Sequence, residues 1–195
     1  MKNKKGKGKK NKNNDSDNEE SHKKGNISDE NNSDEENSNE EDININLLQG
    51  DYFIFATTNK KKVVSVPKSS KVAGVQLEID NFTKGGSRQF TIEPIEDGLF
   101  RIKSVISGLY WRIKEGFKTD EVIQDELDED SDEFKWIFES KDEEDKKCLY
   151  IKSAVGGKES EDFYVIIDDY NPKPHSKIVI GSYEPTQKFM LCRKV

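Results

Sequence analysis

Phe100-Arg-Ile-Lys-Ser104, with the turn Ser107-Gly108 directly after it, is the stretch that decides the fold. Apolar and polar residues alternate in it, which is typical of a β-strand with one buried face. Similar strands occur at Tyr52-Phe-Ile54 and at Tyr150-Ile-Lys-Ser153. The isoleucines of the three copies lie 48 and 49 residues apart (Ile54, Ile102 and Ile151). A fixed spacing of this kind indicates an internal repeat.

Each repeat ends with a second motif, an aromatic residue followed by one spacer and another large apolar residue. These closing motifs are Phe90-Thr-Ile92, Trp136-Ile-Phe138 and Phe189-Met-Leu191. Short alternating segments lie between, for example Val64-Ser-Val66 and Ile178-Val-Ile180, and the segment from Glu121 to Asp132 is too acidic for an amphipathic helix. Three such repeats without crossover helices must close on one another to remove their sheet edges. We therefore expect an all-β barrel of approximate threefold symmetry, with the isoleucines and the closing rings at its axis.

The first 46 of the 195 residues differ in composition from the rest. Residues 1–50 contain 12 Asn, 9 Lys and 12 Asp plus Glu, and none of the 18 aromatic residues. A segment with so few apolar side chains cannot bury enough surface to offset the conformational entropy lost when it becomes ordered. The sequence thus predicts a disordered charged tail over 1–46, with lysines over 2–12 and acidic clusters at 34–36 and 40–42, and one folded domain over 47–195.

Charge and hydropathy exclude several classes of protein. The net charge of −7 argues against a basic nucleic-acid binder, so nucleic acid is expected only in weak contact with the N-terminal lysines. No run approaches the ~18 apolar residues of a transmembrane helix. No apolar segment follows the lysines as in a secretory signal, so a cytoplasmic or nuclear location is expected. The two cysteines, Cys148 and Cys192, are expected to be reduced thiols.

The folded part resembles the β-trefoil of ricin-B-type lectins. The resemblance rests on Gly50-Asp-Tyr-Phe-Ile54, Gln89-Phe-Thr-Ile92, Asp97-Gly98 and the strand and turn quoted first. Gln187-Lys-Phe189 is similar to the family's Gln-x-Trp closing motif, with Phe in place of Trp. The resemblance spans residues 47–195 and implies a β-trefoil of three repeats of about 48 residues. The same fold serves fascin-like actin-bundling modules, protease inhibitors and cytokines, so it implies a function less directly.

The resemblance implies a sugar site in each active repeat, built from an aspartate, a stacking aromatic ring and an Asn or Gln before the closing motif. In the first repeat these positions fall on Ser65, Glu78 and a residue near Ser87. In the second repeat the aspartate position is Arg112, and no aromatic residue lies in the segment 122–125. Both repeats are therefore expected to be degenerate as sugar sites.

The third repeat keeps most of the required residue types. Tyr183 is the expected stacking ring and Gln187 the expected amide, while the acid is either Asp162 or Asp168, depending on where the loop insertion 171–175 is placed. In the alternative interpretation, Tyr183 packs under the proline-rich loop and Asp168 caps a turn. These four residues form the predicted carbohydrate site.

The inventory of chemical groups does not favour an enzyme. The domain has one histidine, His175, in a proline-rich loop where we expect it to be solvated, so neither a His-based triad nor a two-histidine metal site can form. The segment 154–158 lacks the first glycine and the Ser or Thr of a phosphate loop. Asp128, Asp130 and Asp132 alternate as in a calcium loop, but Glu133 stands where glycine must turn the chain. We expect a flexible acidic loop there, and no catalytic residue, cofactor or metal.

The sequence thus predicts a non-catalytic, lectin-like module that binds a glycan or a glycoprotein through the third repeat. The alternative is a β-trefoil that binds a protein partner, either cytoskeletal as in fascin-like modules or a protease. Its contacts would come from charged loops such as 60–62, 125–132 and 141–147.

Overall fold

The computed structural model describes residues 44–96, 98–114, 120–141, 147–155 and 162–193. The predicted tail, apart from residues 44–46, lies outside these ranges together with its lysine block and acidic clusters. Asp97, Gly156, Gly157 and most of the charged segment 141–147 also lie outside the described residues.

The described residues form thirteen β-strands and four one-turn 3-10 helices, and they contain no α-helix. The first repeat comprises β1 (Gly50–Ala56), β2 (Lys62–Ser65), β3 (Val75–Gln76), β4 (Glu78–Asn81) and β5 (Gln89–Pro94). The second comprises β6 (Phe100–Ser104), β7 (Tyr110–Lys114), β8 (Glu121–Asp125) and β9 (Trp136–Glu139), and the third β10 (Cys148–Ser153), β11 (Tyr164–Ile167), β12 (Ile178–Gly181) and β13 (Phe189–Arg193). The 3-10 helices span Ile45–Leu47, Pro67–Ser69, Gly86–Arg88 and Asp132–Phe134. The all-β prediction is confirmed.

The first and last strands of the three repeats close into a six-stranded antiparallel barrel. The ring runs β1–β5–β6–β9–β10–β13 and returns to β1, where Ile54 pairs with Leu191. Closure leaves this ring without a free edge, as the sequence argument required.

The inner strands of each repeat pair with one another and cover one end of the barrel. These pairs are β2 with β4, β7 with β8, and β11 with β12. They also contact each other, because β8 pairs with β3 of the first repeat and with β12 of the third. Leu77 interrupts the third strand of the first repeat by donating its N–H to Val122, which divides that strand into β3 and β4.

The core confirms the predicted inward residues. The isoleucines and the closing rings are fully buried (Ile54, Ile102, Ile151, Phe90, Trp136 and Phe189). The Trp136 ring lies edge-on to Trp111 with centroids 6.0 Å apart, and its indole N–H donates to the Trp111 carbonyl at 3.3 Å. Cys148 is buried and Cys192 partly exposed, and neither forms a disulfide bond within the described residues.

Candidate functional site

An open pocket of about 530 Å³ lies in the third repeat, at the ends of β11 and β12. Two tyrosine rings and three carboxylates contribute to its wall, next to the aliphatic side chain of Ile166. The lining residues are Ile166, Ile167, Asp168, Asp169, Tyr170, Ser182, Tyr183, Glu184 and Gln187. Three of the four predicted site residues, Asp168, Tyr183 and Gln187, are thus brought to one cavity.

Asp168 follows β11 directly and is held by its backbone. Its N–H donates to the Lys177 carbonyl at 2.9 Å, which continues the pairing of β11 with β12. Within the described part of the chain, no group forms a hydrogen bond or an ion pair with its exposed carboxylate. The neighbouring Asp169 caps the turn instead, since its carboxylate accepts the Asn171 N–H at 3.0 Å. The Asp168 carboxylate is therefore available to accept hydrogen bonds from a ligand.

Gln187 is buried at the base of the pocket and fixes the residue before Asp168. Its side-chain oxygen accepts the Ile167 N–H at 3.2 Å, and its side-chain nitrogen donates to the Ile167 carbonyl at 3.5 Å. The oxygen and the nitrogen of the Gln187 carboxamide therefore both bond to the backbone of Ile167. In this arrangement Gln187 positions Asp168, while direct contact of Gln187 with a ligand stays a prediction.

Tyr183 and Tyr170 provide the aromatic surface. The Tyr183 side chain is 41% exposed and its hydroxyl donates to the Tyr150 hydroxyl at 3.2 Å. Its ring packs against Tyr150 and Tyr164, at centroid distances of 5.1 and 5.5 Å. Tyr170 is 87% exposed and was missed by the sequence analysis, although an aromatic residue in the turn Asp168-Asp-Tyr-Asn171 was a usable signal.

Asp162, the alternative acid, does not line the pocket. It forms an ion pair with Lys152 at 2.6 Å and accepts the Tyr164 hydroxyl at 3.4 Å. The hydrogen bond from Lys152 lowers the pKa of Asp162 and outweighs the opposing effect of desolvation. The structure therefore separates the two aspartates that the sequence could not distinguish.

A charged and aromatic network lies beside Tyr183. The Lys141 ammonium donates to the Tyr164 hydroxyl at 2.6 Å, and this hydroxyl lies 3.0 Å from a Glu139 carboxylate oxygen. Burial lowers the pKa of Lys141, but the hydrogen bond to Tyr164 and the charge of Glu139 outweigh it and leave that pKa raised. Burial is also the main cause that raises the pKa of Tyr164.

The corresponding positions of the first repeat are closed. Ser65 is buried, and its hydroxyl donates to the Val66 carbonyl at 3.4 Å. Glu78 is buried too, and its carboxylate contacts His175 Nδ1 at 2.9 Å and Lys177 Nζ at 3.2 Å. His175 is exposed as predicted, but it is also bonded to Glu78, a contact that the sequence did not reveal.

In the second repeat the position of the aspartate holds a cation. Arg112 donates from Nη1 to Asp125 and from Nε to Glu133, both at 2.8 Å. The hydrogen bond to Glu133, followed by that to Asp125, raises the pKa of Arg112. The guanidinium lies 5.7 Å from the centroid of the Phe134 ring, so this surface is occupied by protein groups.

The predicted acidic loop is partly structured. Asp128 Oδ1 accepts the Asp130 N–H at 3.2 Å, and Asp132 forms an ion pair with Lys135 at 2.7 Å. Across the described ranges, no three His, Cys, Asp or Glu side chains lie together in a way that could hold a metal ion. Among the same residues, no helix is both long enough and apolar enough to cross a membrane.

The sequence comparison identifies a related family for the first half of the folded part. Residues 44–124 match the family model described as "Ricin-type beta-trefoil lectin domain-like". Among curated proteins, none matches this chain in sequence. The predicted resemblance to ricin-B-type β-trefoil lectins is confirmed.

Solved structures of low sequence identity share the fold. The designed threefold-symmetric protein ThreeFoil superposes with a TM-score of 0.64 at 15% identity, over 74% of this chain and 99% of that one. The Rhizoctonia solani agglutinin gives 0.63 at 13% identity, over 78% and 100%. The Macrolepiota procera ricin B-like lectin, solved in complex with lactose, gives 0.58 at 15% identity, over 74% and 95%. The fold of the chain is therefore a β-trefoil.

Proposed function

We propose that this chain, which resembles the ricin-B-type lectins in sequence and is a β-trefoil in fold, is a non-catalytic carbohydrate-binding module. Its ligand is a glycan or a glycoprotein, bound at the pocket of the third repeat. The observation that carries the proposal is the Asp168 carboxylate, which has no partner among the described residues and shares this pocket with the half-exposed Tyr183 ring.

The chemistry of the pocket suits a sugar. A carboxylate accepts hydrogen bonds from two neighbouring hydroxyls, and hydrogen bonds to charged groups are stronger than those between neutral groups. The apolar face of a pyranose can lie against a tyrosine ring, which is a large, rigid surface with a polar end. Asp168 and Tyr183 would take these two roles, and Gln187 would hold Asp168 in place.

The first two repeats support a single-site protein. Ser65 and Glu78 are buried in the first, and Arg112 is paired with two carboxylates in the second. Neither position presents a free acid beside an exposed ring. We therefore place binding in the third repeat alone, which implies weak affinity unless several copies act together.

Calorimetric titration of the purified chain with lactose and galactose, after a glycan array, tests this proposal. We expect binding that Asp168→Asn weakens about tenfold or more, since a charged hydrogen bond contributes about 1.5–3 kcal/mol. Tyr183→Ala should abolish binding and spare folding. Asp125→Asn, which removes a paired carboxylate from the second repeat, is the matched control and should bind as the wild type does. A chain that binds no glycan, or that binds equally well as Asp168→Asn, contradicts the proposal.

A protein-binding role is the second candidate, and one surface favours it. Phe82 is 37% exposed and packs on Phe53 and Phe55 outside the barrel, with ring centroids 5.1 and 5.0 Å away. Its backbone N–H donates to the carbonyl of Lys61, so a lysine-bearing loop adjoins this ring. Co-sedimentation with actin filaments and inhibition assays against common proteases, each repeated with Phe82→Ser, test this role.

The cytoplasmic or nuclear location stays a prediction that microscopy of the tagged chain checks.

A further inference from the structure

Lys141 lies among three tyrosine rings next to the pocket. Its ammonium nitrogen is 4.1 Å from the centroid of Tyr183, 4.5 Å from that of Tyr164 and 5.8 Å from that of Tyr150. All three distances fall within the range of about 6 Å for a cation–π contact, and the hydrogen bond of 2.6 Å to the Tyr164 hydroxyl places the ammonium toward the hydroxyl end of that ring. The chain therefore surrounds one of its own ammonium groups with a three-sided aromatic cage.

The cage is held together by its rings and its hydroxyl groups. Tyr150 and Tyr164 are buried and lie 6.1 Å apart, and both contact Tyr183. Tyr150 donates its hydroxyl to the Pro185 carbonyl at 3.1 Å, and Lys141 donates to Tyr164 at 2.6 Å. Glu139 lies 3.6 Å from the Lys141 ammonium and balances its charge. Two rings of the cage are thus fixed inside the protein, while the third, Tyr183, is half-exposed.

Tyr183 belongs to both the cage and the pocket. It lines the pocket, whereas Lys141 is not among the lining residues. Tyr183 follows β12 in the loop 182–187, so regular strand pairing does not fix its ring. The contacts that fix it are the hydroxyl bond to Tyr150, the two ring contacts and the Lys141 ammonium.

We propose that Lys141 is a positioning residue of the pocket, whose ammonium holds the Tyr183 ring in the orientation that a sugar requires. This inference rests on the proposed carbohydrate function. Lys141 acts through Tyr183 and needs no contact with the ligand. Because the ammonium acts as a cation in a cage, a free alkylammonium ion should replace it when the side chain is removed.

The test compares Lys141→Met, which keeps the length of the side chain and removes its charge, with Lys141→Arg, which keeps the charge. Lys103→Met is the matched control, because Lys103 lies 5.2 Å from the Tyr110 ring in the second repeat, away from the pocket. Two readouts are taken: the affinity for lactose and the ring-proton NMR shifts of Tyr183, assigned with Tyr183→Phe. Lys141→Ala is measured with added propylammonium and, as a neutral counterpart, with propanol.

We expect Lys141→Met to shift the Tyr183 ring protons and to weaken lactose binding about three- to tenfold, the size of one cation–π contact. Lys141→Arg should retain most of the affinity, and Lys103→Met all of it. Propylammonium should restore the Tyr183 shifts and the binding of Lys141→Ala, whereas propanol should not.

Two results would overturn the inference. The first is a Lys141→Met chain with wild-type Tyr183 shifts and wild-type affinity. The second is rescue of Lys141→Ala by propanol as effective as that by propylammonium, which would indicate that the Lys141 side chain acts only by filling space. If the wild type binds no sugar, the proposed function fails, and the NMR arm still decides whether Lys141 fixes Tyr183. The two failures are therefore distinguishable.

Discussion

In the second repeat, the surface of the hairpin β7–β8 is occupied by Arg112, which bonds to Asp125 and Glu133. In the third repeat, the hairpin β11–β12 carries Ile166 at the position of Arg112 and Asp168 at that of Lys114, and Asp168 has no partner among the described residues and lines an open pocket. The strands beneath are the same in both repeats, and the closing rings Trp136 and Phe189 are equally buried. The difference therefore lies in a few surface side chains.

This contrast shows which positions the fold constrains. A barrel closed by three repeats needs a large apolar residue at each closing position, because a smaller one would leave a cavity. It places no such requirement on the outward-facing side chains of a hairpin, where a cation between two acids and an open acid are equally compatible with the strands. The surface chemistry of the repeats can therefore differ without a change of fold.

The largest loss of stability is expected at the closing rings, which are buried in both repeats. Trp136→Ala and Phe189→Ala should each lower the free energy of unfolding by about 3–5 kcal/mol, because each removes a fully buried ring. Urea unfolding followed by circular dichroism measures both. Tyr170→Ala, at an exposed ring, is the control and should change stability by less than about 0.5 kcal/mol. If Trp136→Ala kept its stability and lost ligand binding, the ring would belong to a site and the proposed inside of the barrel would be wrong.

The next effect concerns the residue two positions before each closing ring, which is Phe134 in the second repeat and Gln187 in the third. Gln187→Ala should lower stability by about 1–3 kcal/mol, because it removes the partner of the buried Ile167 N–H, although the Ile167 carbonyl still accepts the Asp169 N–H at 2.7 Å. It should also weaken sugar binding by releasing Asp168. Urea unfolding and lactose titration on the same preparation check both effects, with Thr186→Ala as control. Unchanged stability with lost binding would instead assign Gln187 to direct ligand contact.

The barrel was predictable because its signals are local in the sequence. Strand alternation, glycine turns and a spacing of 48 and 49 residues located the first and last strands of each repeat. Three inner strands were missed, namely β4, β8 and β11. In β8, charged residues flank Val122-Ile-Gln124, and β11 is the continuous apolar run Tyr164-Val-Ile-Ile167, so neither shows a clear period of two.

The site was predictable only in part because its contacts join distant residues. Tyr183 was expected from its residue type, yet its partner Tyr150 lies 33 positions earlier and was assigned to a core strand alone. The choice between Asp162 and Asp168 depended on the length of a loop; in the structure Asp168 lines the pocket, whereas Asp162 forms an ion pair with Lys152. The role of Lys141 carries no sequence signal, since one lysine in a charged segment resembles any other.

A smaller effect is expected at the occupied surface of the second repeat. Arg112→Ala should lower stability by about 0.5–1 kcal/mol, because the pairs it removes are partly exposed and screened by solvent. It should leave lactose binding unchanged. Lys114→Ala is the control, since its nearest carboxylate, Glu121, lies 4.0 Å away. A loss of binding in Arg112→Ala would mean that the second repeat also takes part in the site.

The smallest expected effect is a difference between Lys141 and Arg112 in how their contributions to stability depend on pH. Lys141 has a raised pKa in the folded chain, so its contribution to stability is complete below the ordinary lysine value of 10.5 and is lost as the pH rises through the higher folded value. The difference in unfolding free energy between the wild type and Lys141→Met should therefore be constant from pH 7 to about pH 10. Above that it should shrink, from a starting value below about 1 kcal/mol. The corresponding difference for Arg112→Ala should stay level over the same alkaline range, because the guanidinium keeps its charge. Urea unfolding at several alkaline pH values measures both differences, and equal pH dependence in the two repeats would mean that Lys141 contributes nothing through its charge.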